Sequence, residues 1–309
     1  PSGKVMTISE GVVVKLGSHS INVSGTLKVE NATEADAFTS SNTYVRINVK
    51  SGGQVLLQNA NINLSGSNSY VTVSSGGTFT MTGGILQHYN LSSTSSAKIE
   101  SGGRMNLMDV TVKAILTNKG NLTMESTTVE NYVINSGTLT LRDVTISSYV
   151  SGSGTLYATN SVVQSYIEVS GSCELENVTC QRLNISSLDA LTLKGEGVTM
   201  TGAMPLLLVN YSGSVQSLLD KYSFKLTSTE AKSIGLQGTF GDTELTVLDE
   251  TFSGGYKLNG NVTVSAGKAM TISEGVVVNL GSYDIDISGT LKVENATEAD
   301  AFTSSDTYA

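Results

Sequence analysis

Three evenly spaced tyrosines are the side chains that most directly suggest binding chemistry. Tyr132, Tyr149 and Tyr166 follow one another at equal intervals along the chain. At one outward position of stacked strands they would form an aromatic ladder with a spacing of about 4.8 Å. Such rings can stack on sugars or on another protein. If the three rings faced inward instead, they would be ordinary core residues. Each tyrosine is followed by an apolar residue, so the sequence does not decide whether the tyrosine or its neighbour faces outward. We hypothesise a ligand-binding role for all three tyrosines.

The two cysteines, Cys173 and Cys180, lie close together in the sequence. In neighbouring repeats the same positions carry Leu or Met and Val or Ile, and a free cysteine behaves as a small buried hydrophobe. We therefore expect two core residues. A disulfide between them is the alternative, which an extracellular location would permit. Two sulfurs without partner histidines cannot complete a zinc site, and no calcium-loop pattern occurs. We expect no metal and no cofactor.

Candidate catalytic groups are sparse. General acid–base chemistry needs paired groups held in different environments, but the chain has 2 histidines, His19 and His88, and four arginines: Arg46, Arg104, Arg142 and Arg182. No cluster of aspartates with a nearby arginine can be located from spacing. The sequence thus predicts no catalytic residues and a protein that is not an enzyme.

The charge and composition exclude two classes of partner. The 309 residues carry 27 acidic and 18 basic side chains, giving a net charge of −9. No basic patch or run is present, which argues against nucleic acid. No apolar run approaches the roughly 18 residues of a membrane span, so we expect no membrane insertion. With 32 Gly and 39% apolar residues, the chain is too apolar for disorder and too turn-rich for a helical protein.

The segment from Gly103 to Ser187 divides into five consecutive blocks of equal length, each opening with glycine. Stacking these blocks, which we call the short repeat, gives apolar third, fifth and tenth columns. The seventh column holds residues that tolerate a left-handed corner, namely Asp109, Ser126, Asp143, Asn160 and Asn177. Short alternating strands between corners at a fixed spacing describe a solenoid whose rungs share one core. The pattern predicts an all-β, right-handed parallel β-helix.

The predicted rungs begin at residues 25, 53, 77, 103, 120, 137, 154 and 171. The first three are longer, and their extra residues are expected after the second strand as side loops on one edge, with third strands starting near Tyr44, Tyr70 and Ala97. A short helix is predicted around Val215 to Tyr222. Taking about 20 residues per rung, one long repeat would contain roughly 13 rungs.

A second, longer repeat is superimposed on the short one. The segments Lys4 to Tyr44 and Lys268 to Tyr308 are identical at all but seven positions, at an offset of 264. We interpret residues 1–264 as one complete long repeat and residues 265–309 as the start of the next, continuing the same solenoid. We expect any signal or anchor to lie outside this fragment. Adjacent repeats are expected partners, and open solenoid ends carry a risk of end-to-end self-association.

The phrases GNVTVSAGKAMTISEGVVVNL and SGTLKVEN, with SGG openings at Ser51, Ser75 and Ser101, carry a family resemblance. The chain resembles the right-handed β-helix repeats of bacterial, particularly Gram-positive, cell-surface proteins. The pattern is shared with polysaccharide lyases, glycosidases and phage tail proteins. The resemblance implies an extracellular, surface-attached, adhesin-like parent.

The leading functional hypothesis is a structural and adhesive repeat, a stiff rod that presents a surface to host glycan or protein. The alternatives are a β-helix polysaccharide lyase or hydrolase, a passive spacer, and an ice-binding solenoid. The last is suggested by Thr-x-Thr stretches such as Thr78 with Thr80 and Thr138 with Thr140.

Overall fold

A computed structural model describes residues 2–30, 36–88, 97–227, 231–294 and 301–304. It divides the chain into two compact units, residues 1–164 and residues 165–309. Both consist mainly of short parallel strands, so the predicted all-β, parallel β-helical class is confirmed. The division expected from the long repeat, at residue 264, stays a prediction.

The first unit is built from three parallel sheets, one strand per rung in each. The first sheet contains Val5–Ile8, Thr26–Glu30, Gln54–Gln58, Thr78–Thr82, Arg104–Met108, Asn121–Glu125, Thr138–Arg142 and Thr155–Thr159. The second contains Val14–Lys15, Asp36–Ser40, Asn61–Leu64, Ile85–His88, Thr111–Lys113, Thr128–Val129, Thr145–Ile146 and the start of Val162–Val169. The third contains Ile21–Val23, Arg46–Val49, Tyr70–Val73, Ala97–Ile99, Leu116–Asn118, Val133–Asn135 and Val150–Ser151.

The pairing register reproduces the predicted rungs. Leu122 lies beside Leu139, which lies beside Leu156, so each step along the column is one short repeat. The longer rungs are also in register, since Leu27 pairs with Val55 and Val55 with Phe79. In the rungs that begin at Gly53 and Gly77, most of the extra length falls after the second strand, as predicted. The rung that begins at Gly25 differs: Val29 and Phe38 are nine positions apart where their partners Leu57 and Ile62 are five apart, so part of its extra length precedes the second strand. A smaller part lies in the turn after the third strand, where the Gly53 amide donates to the Lys50 carbonyl at 2.8 Å.

The interior is formed by the three apolar columns that the sequence predicts. All fifteen of these side chains are buried: Met105, Leu122, Leu139, Leu156 and Cys173 in the third column, Leu107, Met124, Leu141, Ala158 and Leu175 in the fifth, and Val112, Val129, Ile146, Val163 and Cys180 in the tenth. Alternation along each strand places the residues between them outward. Within the first unit, each rung therefore contributes to a core that it could not form alone.

The seventh column forms the predicted corners. All five of its residues have φ between 47° and 54°, the left-handed region in which short polar side chains are the usual alternative to glycine. The chain turns there from the first sheet to the second. Asn59 has the same conformation in a longer rung, so this corner does not depend on rung length.

The glycines that open the blocks are required because a Cβ atom at these positions would clash with the backbone of the neighbouring rung. A Cβ atom at Gly120 would come within 2.4 Å of the Gly103 carbonyl oxygen, and one at Gly137 within 2.2 Å of the Gly120 oxygen. Contacts below 3.0 Å force a displacement, and here the neighbour is backbone. Stacked glycines thus let successive rungs approach at this corner.

Two buried asparagines form a ladder that sequence reasoning did not identify. Asn118 Nδ2 donates to Asn135 Oδ1 at 2.8 Å and to the Thr138 carbonyl at 2.8 Å. Asn135 Nδ2 in turn donates to the Thr155 carbonyl at 2.9 Å. These bonds satisfy buried polar groups at the turn between the third and first sheets, where an unpaired group would cost about 1–3 kcal/mol.

The second unit contains strands of more variable length. They are Cys173–Ile185, Leu191–Met200, Leu206–Val209, Gly213–Ser214, Lys225–Leu226, Ile234–Phe240, Thr243–Leu245, Tyr256–Val264, Ala269–Ile272, Val278–Asn279, Ile285–Ile287, Thr290–Val293 and Phe302–Thr303. An α-helix at Val215–Lys221 confirms the predicted helix. Two 3₁₀ turns lie at Leu188–Ala190 and Glu250–Phe252.

The second copy of the opening segment repeats the fold of the first. Val5–Ile8 pairs with Thr26–Glu30, and Ala269–Ile272 pairs with Thr290–Val293 in the equivalent register. Val14 lies beside Phe38, as Val278 lies beside Phe302. The long repeat therefore preserves strand register as well as sequence.

The column assignment predicts a strong contrast between adjacent residues. Leu139→Asp would bury an unpaired charge in the third column, whereas Thr140→Asp places the same group on the outward side. We expect Leu139→Asp to lower the free energy of unfolding by about 4 kcal/mol or more and Thr140→Asp by less than about 1 kcal/mol. Denaturant unfolding followed by circular dichroism measures both. Similar midpoints for the two variants would contradict the assignment.

Candidate functional site

The three candidate tyrosines all point outward. Tyr132, Tyr149 and Tyr166 are half-buried, while the residue that follows each of them, Val133, Val150 or Ile167, is fully buried. Strand alternation therefore turns the hydroxyl-bearing side toward solvent. The direction that the sequence left open is thus decided in favour of the surface.

In the first unit, Tyr132 and Tyr149 form a face-to-face stack. Their ring centroids are 4.7 Å apart and their planes differ by 7°. The stack follows from the register of the short repeat, since the Val133 amide donates to the Tyr149 carbonyl at 3.0 Å. Because each ring covers a face of the other, a ligand approaching between them meets ring edges and hydroxyls. Sugar stacking on those two faces is prevented.

In the second unit, Tyr166 lies at a polar cleft with a volume of about 380 Å³. The Arg182 guanidinium carbon is 5.5 Å from the centroid of the Tyr166 ring, within cation–π range. Strands supply four of the other polar side chains of the lining, and the turns that follow strands supply three. The four are Glu168, Asn184, Gln237 and Asn259, and the three are Ser170, Ser186 and Asn210.

The strand register explains how these residues meet. Arg182 and Asn184 are two positions apart on Cys173–Ile185 and so share one side of that strand. Asn184 lies beside Leu207. The Leu207 side chain packs over Gly235, since a Cβ atom added to Gly235 would lie 2.7 Å from Leu207 Cδ1. Farther along, Asn259 Nδ2 donates to Gln237 Oε1 at 3.0 Å, next to a register shift between Leu236 and Gly238.

Two buried polar atoms in the cleft have no hydrogen-bond partner in the described part of the chain. They are Arg182 Nε, a donor, and Asn184 Oδ1, an acceptor. Buried polar atoms are normally paired, and leaving one unpaired costs about 1–3 kcal/mol.

The electrostatics of the cleft keep the phenol protonated. Burial raises the pKa of Tyr166, and the carboxylate of Glu168 raises it further, with Arg182 acting in the opposite direction. Burial lowers the pKa of Arg182, which Tyr166 partly offsets. The ring therefore presents a neutral hydroxyl beside a guanidinium group.

Sequence reasoning found one residue of this cleft, Tyr166, and treated Arg182 as one of four scattered arginines. The i, i+2 spacing of Arg182 and Asn184 was a usable signal, because alternation puts both on one side. Gln237 and Asn259 carried no such signal. They lie outside the short repeat, in rungs whose lengths differ.

The two cysteines are buried and free, and they occupy the core positions expected of them. Cys173 lies beside Leu191 and Cys180 beside Met200. Burial raises the pKa of the Cys173 thiol, with a smaller contribution from Cys180, and raises that of Cys180 to about 12. Both are therefore neutral thiols at physiological pH. The structure contains no disulfide between them.

The described residues contain no helix that could cross a membrane. Within the same ranges, no three His, Cys, Asp or Glu side chains converge as metal ligands.

Fold and cleft together define a parallel β-solenoid with a polar surface site. Comparisons of the chain with protein-family models, with curated proteins and with solved structures returned no match.

Burial of the thiols predicts slow alkylation and reduced alkaline stability. Iodoacetamide should label Cys173 and Cys180 only after unfolding, as read by mass spectrometry. For Cys180 the folded pKa lies above the ordinary value of 9.0, so above pH 9 the unfolded state loses its proton first and stability falls with rising pH. Replacing both residues by Leu and Val, respectively, should reduce that fall. Rapid labelling of the native chain would contradict the burial.

Proposed function

We propose that this chain is a structural and adhesive repeat of a large bacterial cell-surface protein, located outside the cell. Its second unit binds a host glycan or protein through the cleft beside Tyr166 and Arg182. The observation that carries the proposal is a cleft of about 380 Å³ that is rich in amide side chains and contains the Arg182 guanidinium beside the Tyr166 ring. The bacterial and adhesive assignment also draws on the sequence resemblance.

Carbohydrate chemistry suits this lining. A sugar hydroxyl donates one hydrogen bond and accepts others, so it can satisfy a guanidinium donor and an amide acceptor at once. Tyr166 adds an aromatic surface and a hydroxyl. The volume of about 380 Å³ lies within the range of small-molecule sites and suits one or two sugar rings of a chain.

The raised pKa of the Tyr166 hydroxyl favours binding of a polysaccharide over its cleavage. Proton abstraction from a sugar would require a base with a lowered pKa. Burial and the nearby carboxylate of Glu168 instead raise the pKa of Tyr166. Retaining or inverting hydrolysis requires two carboxyl groups at the scissile bond, whereas the lining contains one, Glu168. The arrangement supports recognition.

The ice-binding alternative needs a flat, unbroken threonine column. On the outward side of the first sheet, Thr123 and Thr140 are neighbours, but the column continues as Tyr157 on one side and Asn106 on the other. The threonine column is therefore interrupted on both sides of this pair.

The test is a glycan-array screen of the whole chain, followed by calorimetric titration of the best ligand. We expect Tyr166→Ala and Arg182→Gln each to weaken binding roughly tenfold to hundredfold, about 1.4–2.7 kcal/mol. The matched controls are Tyr157→Ala and Arg142→Gln, two exposed residues outside the cleft. Both should bind like the unmodified chain.

Absence of binding to glycans and to host-cell extracts would contradict the adhesive proposal and leave a passive spacer. Binding that survives both cleft variants would place the site elsewhere. If Tyr132→Ser and Tyr149→Ser instead removed binding, the tyrosine stack of the first unit would be the site.

A further inference from the structure

A second cavity adjoins the cleft of the second unit. It has a volume of about 210 Å³ and shares two lining residues with the cleft, Tyr166 and Arg182. Its other lining residues are Ser165, Gln181, Gly202, Ala203 and Met204. The tyrosine ring and the guanidinium group, whose carbon lies 5.5 Å from the ring centroid, therefore stand between two adjoining cavities.

The two cavities follow one another along the strand direction. On the strand Cys173–Ile185, Gln181 lines the second cavity, Arg182 lines both cavities and Asn184 lines the cleft. The preceding strand shows the same order with Ser165, Tyr166 and Glu168. Because a strand advances about 3.3 Å per residue, the distance from Gln181 to Asn184 is about 10 Å. The cavities thus form one groove, which is long enough for more than one sugar unit.

The charges of this groove cancel. Among the described residues that line it, Glu168 supplies the one carboxylate and Arg182 the one cationic group. Burial and Glu168 raise the pKa of Tyr166, so the phenol is neutral at physiological pH. A sulfated or carboxylated sugar chain would bring charges that the groove does not balance, and an unpaired charge is costly to remove from water. The groove therefore favours a neutral ligand.

The second cavity suits an acetamido substituent, which combines an amide N–H, a carbonyl oxygen and a methyl group. The Gln181 amide can accept a hydrogen bond from the N–H and donate one to the oxygen. Ala203 and Met204 offer the methyl group an apolar surface, and a thioether adapts readily to such contacts. Gln181 and Ala203 are exposed, so a ligand can reach both.

We propose that the groove binds an unbranched chain of neutral acetamido sugars, with units in both cavities and the Tyr166–Arg182 pair between them. This inference rests on the proposed glycan-binding function of the cleft and specifies its ligand. A single sugar occupies one cavity, whereas a longer chain occupies both. Affinity therefore rises with chain length until the groove is filled.

The test is calorimetric titration of the whole chain with β-1,4-linked N-acetylglucosamine oligomers of increasing length. We expect the tetramer to bind roughly tenfold more tightly than the monomer, or better, and longer oligomers to add little. Alginate oligomers of the same lengths are unbranched but carry a carboxylate on each unit. They should not bind.

Ala203→Trp tests the second cavity separately, because Ala203 lines this cavity and not the cleft. The bulky ring should fill the cavity and lower the affinity for the tetramer to about that of the unmodified chain for the monomer. Ala266→Trp is the matched control, since Ala266 is an exposed alanine in the turn after Tyr256–Val264. This control should keep the full dependence on chain length, and circular dichroism verifies that both variants are folded.

The outcomes separate this inference from the proposal on which it rests. Equal affinity for monomer and tetramer would overturn the groove, as would an Ala203→Trp variant that binds the tetramer like Ala266→Trp. Binding of alginate in preference to N-acetylglucosamine oligomers would overturn the neutral ligand class. If other glycans bind at the cleft and acetamido oligomers do not, the inference fails and the glycan-binding proposal stands. Absence of binding to every glycan would overturn both.

Discussion

The in-register parallel ladder between successive rungs is the interaction on which the rest of the structure depends. The Thr138 amide donates to the Gly120 carbonyl and the Thr155 amide to the Gly137 carbonyl, each at 2.8 Å. This spacing brings like residues together, which gives the apolar columns, the Asn118–Asn135 ladder and the Tyr132–Tyr149 stack. A displacement of one residue along a strand would turn every inward side chain outward.

Much of this architecture could be predicted from the sequence because it is local and repeated. Alternation identified Leu139 and Leu141 as core, and the recurrence of Asp, Asn or Ser at one column identified the corners. The asparagine ladder was missed because an outward and an inward asparagine look alike in sequence. Its members are buried because they lie at the turn between the third and first sheets, where they bond to each other and to backbone carbonyls. The cleft was missed for a different reason: it joins residues from rungs of unequal length, whose pairing cannot be counted from a fixed period.

The same register has opposite effects on the candidate tyrosines. At Tyr132 and Tyr149 it stacks the rings and removes their facing surfaces from a ligand. In the second unit, Tyr166 is paired with the Arg182 guanidinium and faces a cleft lined by amide side chains. A regular stack is thus suited to stability, while the irregular rungs generate the candidate recognition site. Binding sites in solenoids commonly lie where the repeat is interrupted.

Site-directed disulfide formation tests the register most directly. In a chain with Cys173→Leu and Cys180→Val, Thr123→Cys and Thr140→Cys would place two outward thiols on paired residues, about 4.8 Å apart between Cα atoms and within disulfide range. Combining Thr123→Cys with Leu141→Cys puts the second thiol on the inward side. The account predicts that mild oxidation links the first pair in the native chain and leaves the second unlinked, as read by peptide mass spectrometry. A link in the second pair, or none in the first, would contradict it.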